Sequence, residues 1–168
     1  MRLESVQLFI EAIKEAGVET VVAMPESDFK ELYPALAADT EIRYLPVSNE
    51  NVGASIAAGM WAGGKKAILI MENTGIRMGA ESLSRMGLTH GLPVVMLMPY
   101  RGEIGEPNWW GIEHGITMEP ILKALRIPYE VVREEDKLKS AIKRAIRHAS
   151  VSLYHVAVVV GREVIHGQ

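Results

Sequence analysis

Polar residues with chemical potential follow four apolar segments of the chain. Three of these polar stretches are Pro25-Glu26-Ser27-Asp28, Ser48-Asn49-Glu50-Asn51 and Glu72-Asn73-Thr74-Gly75. The fourth is Pro99-Tyr100-Arg101-Gly102-Glu103. Carboxylates can exchange protons, amides and hydroxyls can orient a ligand, and a guanidinium can bind an anion by two parallel hydrogen bonds. An equally simple interpretation is that loops are polar anyway and that Ser27 and Asn49 cap helices.

Six apolar segments predict the β-strands that would position these residues. They cover residues 19–24, 42–47, 67–71, 94–98, 129–132 and 153–160, and segments with helical spacing lie between them. Most strands are continuously apolar, which is typical of parallel sheets covered by helices on both faces. We therefore predict an α/β fold of three layers, α/β/α, with a six-stranded, mostly parallel sheet, in a single domain over residues 1–168. Ligands in such folds bind beyond the carboxyl ends of the strands.

Three connecting segments have features that bear on the site. A helix rich in glycine and alanine is predicted from about Asn49 to Trp61, and such a helix lets another backbone or a flat ligand approach closely. The helix that contains Pro34 should be short or kinked, because proline lacks a backbone donor. Residues 100–114 have no clear period and predict a long loop, with the next helix after Thr117.

Composition excludes several classes of function. The 168 residues carry a net charge of −3 without a basic stripe, which argues against nucleic-acid binding. The chain contains no cysteine, so disulfides, thiolate zinc sites and cysteine nucleophiles are excluded. The amino terminus does not resemble a signal peptide and no apolar run is long enough to span a membrane, so we expect a cytoplasmic protein. Neither a Gly-x-Gly-x-x-Gly fingerprint nor a Walker loop is present.

The run from Val47 to Gly75 resembles the pyrimidine-binding domain of thiamine-diphosphate enzymes. Those domains carry a glutamate at the end of the second strand, followed by an alanine- and glycine-rich helix, a glycine-lysine turn and a buried strand. Within that superfamily the chain is more similar to sulfopyruvate decarboxylase alpha subunits and to phosphonopyruvate decarboxylases. Residues 71–75 resemble a Met-Gln-Asn-Ser-Gly stretch of that family, and residues 100–103, 115–117 and 127–129 add to the likeness.

The resemblance implies that the cofactor is thiamine diphosphate and that Glu50 is the catalytic carboxyl group. Such a carboxyl is hydrogen-bonded to pyrimidine N1′ and promotes the imino tautomer of the 4′-amino group. It should be buried, since burial favours sharing a proton with a weakly basic nitrogen. From spacing alone, Glu50 could instead simply favour a helix N-terminus. Pro25, Asn73 and Thr74 are further cofactor-binding candidates.

Four residues are candidates for substrate binding, namely Ser27, Arg101, His114 and His90. Each has an alternative: Ser27 could cap a helix, Arg101 could pair with Glu103 or Glu106, and the histidines could be ordinary loop residues. His155, inside a predicted strand, is expected to be a core or interface residue. The pair Trp109-Trp110 could close over substrate or contact a partner chain.

The family's metal-binding motif, Gly-Asp-Gly followed later by asparagine, is absent from this chain. The resemblance therefore implies that this chain supplies no metal ligand and that Mg²⁺ is held mainly by a beta subunit that carries the motif. It also implies that the enzyme is active only as a hetero-oligomer. The expected reaction is decarboxylation of 3-sulfopyruvate to sulfoacetaldehyde. Phosphonopyruvate or another 2-oxoacid is the alternative substrate, and a non-catalytic oligomeric module of the same fold is a third possibility.

Overall fold

A six-stranded parallel sheet forms the centre of the protein. The computed structural model describes residues 1–167. The strands are β1 (Thr20–Ala23), β2 (Arg43–Pro46), β3 (Ala67–Ile70), β4 (Val95–Pro99), β5 (Tyr129–Val132) and β6 (Val156–Val160). They lie in the order β2-β1-β3-β4-β6-β5, and each neighbouring pair is parallel. The predicted six-stranded sheet is confirmed, and it is parallel throughout.

Helices cover both faces of this sheet. They are α1 (Leu3–Glu15), α2 (Leu32–Ala38), α3 (Glu50–Ala62), α4 (Gly75–Leu83), α5 (Ile112–Ala124), α6 (Glu135–Ser152) and α7 (Arg162–His166). A π-helical segment, Ser84–Thr89, continues α4, and a 3₁₀ turn, Trp109–Gly111, leads into α5. Across residues 1–167, each helix is too short or too polar to cross a membrane.

The core consists of two apolar layers, one on each face of the sheet. Successive residues of β1 alternate between them: Val21 and Ala23 pack against α1, α2 and α6, whereas Val22 packs against α3 and α4. Phe9 of α1 and Phe29 anchor the first layer, with ring centroids 5.2 Å apart. This arrangement confirms the predicted three-layer α/β/α fold, because a parallel sheet needs apolar cover on both faces.

The connections differ from expectation at two places. α5 begins at Ile112 and not after Thr117, because Gly115 and Pro120 lie inside the helix and weaken its sequence pattern. The sixth strand begins at Val156 and not at residue 153, because α6 continues to Ser152 and Leu153 ends it in a left-handed conformation (φ 53°). The predicted short helix at Pro34 is confirmed, since α2 has only seven residues.

The strand order places a topological switch point between β1 and β3. The chain leaves β1 for β2 on one side, and it then returns past β1 to form β3 on the other. At such a point the connections diverge to opposite faces and leave a crevice beyond the carboxyl ends of the strands. The candidate site lies at this edge.

Candidate functional site

The carboxyl ends of β1, β3 and β4 bring polar side chains from three separate segments together. β1 pairs with β3 and β3 pairs with β4, so the residues that follow them are neighbours. Asp28 follows β1 and Glu72 follows β3, and both lie within 3.6 Å of the guanidinium of Arg101, which follows β4. The segment after β2 enters from the side, as the first turn of α3.

Asn49 determines where α3 begins. Its backbone is extended (φ −165°), and its side-chain oxygen accepts a hydrogen bond from the N–H of Val52 at 2.9 Å. The capping interpretation of Asn49 is thus confirmed. Glu50 is consequently the first residue of the helix, where unpaired backbone N–H groups favour a carboxylate.

The Glu50 side chain lies across the backbone of Gly75, the first residue of α4. A β-carbon at Gly75 would lie 2.6 Å from Glu50 Cγ and 2.7 Å from Oε1. The Glu50 carboxylate has no hydrogen-bond or ion-pair partner within the described part of the chain. Glu50 was expected to be buried, but in this chain it is half-buried, covered by α4 on one side and open on the other.

Arg101 is almost fully buried and is held by Glu106. Its Nε and Nη2 atoms each donate to a carboxylate oxygen of Glu106 at 2.9 Å, and the N–H of Gly102 donates to the same carboxylate at 3.2 Å. The paired guanidinium lowers the pKa of Glu106 to about 2, and the same contact raises the pKa of Arg101. Of the two ion pairs expected as alternatives to a substrate role, the one with Glu106 is present. The role of Arg101 in substrate binding stays a prediction.

Two further carboxylates face the same guanidinium. Oδ2 of Asp28 lies 3.6 Å from Arg101 Nε, and Oε1 of Glu72 lies 3.5 Å from Arg101 Nη1. Asp28 also contacts Nε2 of His166, from α7, at 3.0 Å. Arg101 is therefore surrounded by three carboxylates, and this chain already engages the donors that would bind an anion.

Asn73 is fully buried beneath this network. Its Nδ2 donates to the backbone oxygen of Arg101 at 2.8 Å, but its Oδ1 accepts no hydrogen bond from residues 1–167. A buried amide oxygen without a partner costs roughly 1–3 kcal/mol, so this atom is suited to accept from a ligand. Thr74, next in sequence, is half-buried, and its hydroxyl accepts from the guanidinium of Arg77.

His114 lies in the first turn of α5, and not in the predicted loop. Its ring is nearly buried, and Nδ1 lies 3.4 Å from Glu72 Oε1. A close backbone contact fixes this helix: a β-carbon on Gly102, at φ +86°, would lie 2.3 Å from the nitrogen of Gly115. Only glycine combines this backbone conformation with so close an approach. The loop after β4 therefore holds His114 against the site.

Glu26 is a candidate that the sequence analysis did not select. Its carboxylate accepts hydrogen bonds from the N–H groups of Asp28 and Phe29, at 2.6 and 2.5 Å. Burial raises the pKa of Glu26 to about 7, and the charges of Asp28 and Glu72 contribute to the rise. Glu72 was not selected either. The sequence signal that could have identified Glu26 and Glu72 is their position just after two neighbouring strands.

Pro25 and Ser27, on either side of Glu26, are exposed. The capping interpretation of Ser27 is wrong, because α2 begins only at Leu32 and the Glu26 carboxylate receives the free N–H groups of this turn. The predicted roles of Pro25 in cofactor binding and of Ser27 in substrate binding stay predictions. Both residues lie at the mouth of the crevice after β1.

The structure does not bring His90 to this edge. His90 is exposed at the end of the helical segment before β4, so the length of that strand separates it from Arg101. His155 lies in the core, as expected: the Val94 N–H donates to its Nδ1 at 2.9 Å, and Nε2 lies 2.7 Å from the Leu83 oxygen. This pattern assigns the proton to Nε2.

An exposed apolar patch lies beside the site. It consists of Trp109, Trp110, Ile112 and Ile116, on the 3₁₀ turn and the first turns of α5, and the two tryptophans are 82% and 51% exposed. Glu113, on the same helix, pairs with Arg77 of α4 and connects the patch to the start of α4. Contiguous exposed apolar groups of this kind mark interaction surfaces.

The site suits a flat, hydrogen-bonding heterocycle better than a metal ion. It presents a carboxylate without a partner in the described chain (Glu50), a glycine whose lack of a side chain admits that carboxylate (Gly75) and a buried unpaired amide oxygen (Asn73). Thiamine diphosphate has a pyrimidine ring that such groups could hold. No cluster of three or more histidine or acidic side chains suited to a metal occurs within residues 1–167.

Fold and site together define a doubly wound α/β domain whose ligand crevice is flanked by a carboxylate at a helix N-terminus. Residues 3–98, more than half of the chain, match the family of the thiamine pyrophosphate enzyme N-terminal TPP-binding domain, and the chain belongs to this family. The matched region contains Glu50 and Asn73.

Three relatives with assigned names show which proteins the chain is similar to. It is 26% identical to sulfopyruvate decarboxylase subunit alpha of Methanococcus maripaludis, over 88% of this chain and 89% of that protein. It is 24% identical to sulfopyruvate decarboxylase of Methanosarcina acetivorans, over 89% of this chain but only 38% of that protein. Over 55% of this chain it is 33% identical to phosphonopyruvate decarboxylase of Streptomyces viridochromogenes, covering 23% of that protein.

Proposed function

We propose that this chain is the alpha subunit of a thiamine-diphosphate-dependent decarboxylase that converts 3-sulfopyruvate to sulfoacetaldehyde and carbon dioxide. The name of the Methanococcus maripaludis relative, which matches over nearly the full length of both chains, supports this substrate. The observation that carries the proposal is the carboxylate of Glu50. It stands at the start of α3 against Gly75, without a partner in the described chain.

Glu50 would hold a proton at a carboxyl oxygen facing N1′ of the cofactor pyrimidine. In this position Glu50 would share its proton with the ring nitrogen and so act as the acid–base group of the cofactor site. When bound, the cofactor supplies the electron sink that accepts the electron pair of the broken carbon–carboxylate bond. The close contact with Gly75 restricts the Glu50 side chain and so keeps its carboxyl group in place.

The remaining residues divide into two groups around Glu50. Asn73, Thr74 and Pro25 are proposed to contact the cofactor, with the unpaired Oδ1 of Asn73 accepting a hydrogen bond. Ser27 and His114 are proposed to face the substrate, with the His114 imidazole exchanging a proton with the substrate or product. His90 is left out of this site, because it lies at the opposite edge of the sheet.

A second polypeptide is part of the proposal. The chain has no Gly-Asp-Gly motif, and its described residues contain no metal-binding cluster. The chain aligns with only 38% of the Methanosarcina acetivorans relative, so the remainder of that protein can correspond to a separate subunit here. We propose a cytoplasmic beta subunit with the Gly-Asp-Gly…Asn motif that holds Mg²⁺ and covers the open side of Glu50.

Decarboxylation of 3-sulfopyruvate tests this proposal, with thiamine diphosphate and Mg²⁺ present. We expect activity from this chain mixed with its co-encoded partner and none from either alone. Glu50→Gln should reduce kcat by about 10²–10⁴-fold, since it removes the exchangeable proton. Glu81→Gln is the control, because Glu81 is exposed on α4 and pairs with Arg85 at the surface. Wild-type activity in Glu50→Gln would refute the role of Glu50.

Phosphonopyruvate is the second candidate substrate. It is favoured by the 33% identity to phosphonopyruvate decarboxylase, although that match covers only about half of this chain. Both acids carry an anionic group on the carbon next to the 2-oxo group, so the assay compares their kcat/KM values under the same conditions. A higher value for phosphonopyruvate would change the substrate and leave the role of Glu50 as proposed.

A further inference from the structure

Glu72 and His114 face each other across the site, from two elements that are distant in sequence. Glu72 follows β3 directly, and His114 lies in the first turn of α5. Glu72 Oε1 lies 3.4 Å from His114 Nδ1 and 3.5 Å from Arg101 Nη1. One carboxylate oxygen therefore lies between an imidazole nitrogen and a permanently charged guanidinium.

Nδ1 of His114 has no other partner in the described part of the chain. This atom is buried, and no hydrogen bond reaches it from residues 1–167. The side chain is 9% exposed, so the accessible part of the ring lies away from Nδ1. Glu113, its neighbour in sequence, is turned towards Arg77 on α4. Glu72 is thus the acceptor available to a proton on Nδ1.

Arg101 restrains the Glu72 carboxylate beside the His114 ring. A guanidinium can only donate hydrogen bonds, and a carboxylate can accept them from more than one donor. The Nε and Nη2 atoms of Arg101 are engaged by Glu106, and Nη1 is the part that faces Glu72. The bidentate contact fixes the guanidinium plane, and the guanidinium in turn restrains Glu72.

We propose that Glu72 is a positioning residue. Its carboxylate accepts a hydrogen bond from the protonated Nδ1 of His114, and Nε2 is then the unprotonated nitrogen of the neutral ring. The separation of 3.4 Å exceeds that of a good hydrogen bond, and such contacts often shorten only when a site is complete. The tautomer of a histidine follows from the hydrogen bond of its other nitrogen. The catalytic consequence rests on the proposed function, in which His114 exchanges a proton with the substrate or product.

Nitrogen-15 NMR of the His114 ring tests the tautomer in the isolated chain. In the neutral ring of the wild-type protein we expect the proton on Nδ1. Glu72→Met removes the acceptor at nearly the same length, and it should shift the population towards protonated Nε2. Glu72→Gln keeps an oxygen acceptor, so it should retain the Nδ1 proton. Glu113→Gln, one residue from His114 and exposed, is the matched control and should leave the tautomer unchanged.

Kinetics with the partner subunit then measure the consequence for catalysis. Glu72→Met should reduce kcat by about 10–100-fold, with a smaller loss in Glu72→Gln, because a mispositioned general acid or base loses part of its effect. A wild-type ring protonated on Nε2 would overturn the proposal without any variant. An unchanged tautomer in folded Glu72→Met would do the same. Absence of decarboxylase activity in the wild-type complex would reject the proposed function instead, and the NMR result would still stand.

Discussion

The side chain of Glu50 packs against the backbone of Gly75 so closely that a β-carbon on Gly75 would lie 2.6 Å from Glu50 Cγ. The contact joins the first residues of α3 and α4, which follow β2 and β3. A glycine is required there by the space the carboxylate side chain occupies, and not by its backbone conformation. The two residues therefore form one structural unit of the proposed site.

Gly75→Ala should displace the Glu50 side chain and reduce activity in the complex by at least about tenfold, because a misplacement of 1 Å can cost about 10²-fold. Gly59→Ala is the matched control. A β-carbon on Gly59, in α3, meets nothing within 4 Å, so the change should raise the free energy of unfolding by about 0.5–1 kcal/mol and leave activity unchanged. Activity assays and urea unfolding check both variants. Full activity in Gly75→Ala would contradict the importance of this contact.

Glu106→Gln should lower the free energy of unfolding by about 1–3 kcal/mol, since it weakens the hydrogen bonds of the buried Arg101 guanidinium while Asp28 and Glu72 still face it. The side chains of Arg101 and Glu106 are only 5% and 1% exposed. Glu103→Gln is the comparison, because Glu103 pairs with Arg133 at the surface and such pairs contribute about 0–1 kcal/mol. Equal losses in the two variants would show that the Arg101–Glu106 pair does not stabilise the loop after β4.

The sheet and most of its helices could be predicted because their signals are local. Apolar runs give the strands, and Asn49 followed by small residues gives the start and character of α3. The start of α5 could not be predicted, since Gly115 weakens the helical pattern. That glycine is explained only by the backbone of Gly102, which approaches it from another segment.

The site could be predicted at the level of segments but not of contacts. The rule that ligands bind beyond strand ends selected the correct edge, and Glu50 was identified by resemblance. The engagement of Arg101 by Glu106, and the positions of Glu26 and Glu72 beside it, depend on how three loops pack together. His90 was misplaced although the same rule excludes it, because it precedes β4 and a residue just before a parallel strand lies at the amino end of that strand.

Glu26 should make stability fall as the pH rises towards neutrality. Its pKa is about 7 in the folded chain against an ordinary 4.5, so the folded state holds the proton more tightly than the unfolded state does. The stabilisation is complete below about pH 4.5 and is lost by about pH 7, with a slope of at most about 1.4 kcal/mol per pH unit. Urea unfolding from pH 4 to pH 8 should show this slope as the difference in free energy of unfolding between wild-type protein and Glu26→Gln, and Glu81→Gln should follow wild type.

The patch around Trp109 should be covered by the partner subunit in the proposed complex. Trp109→Ala should then weaken assembly by about 30-fold or more, since buried tryptophans at interface centres contribute about 2 kcal/mol or more. Fluorescence titration measures this in a Trp61→Phe background, in which Trp109 and Trp110 are the remaining tryptophans of the three. A spectral change on adding substrate, but none on adding the partner subunit, would favour a role in closing over substrate.

His155 should make stability fall as the pH falls, which is opposite to the dependence expected for Glu26. Burial lowers its pKa below the ordinary 6.5, so the unfolded chain binds a proton more readily than the folded chain. Its contribution is complete above about pH 6.5 and decreases as the pH falls below that value, because a protonated Nδ1 could no longer accept the Val94 N–H. Unfolding from pH 5 to pH 8 should show this loss as a difference between wild-type protein and His155→Gln, whereas His148→Gln, whose imidazole is exposed, should follow wild type. His155→Gln should be less stable at pH 8 by about 1–3 kcal/mol, but the difference should narrow towards pH 5. A difference from wild type that stays constant over this range would mean that His155 does not titrate differently in the folded and unfolded states.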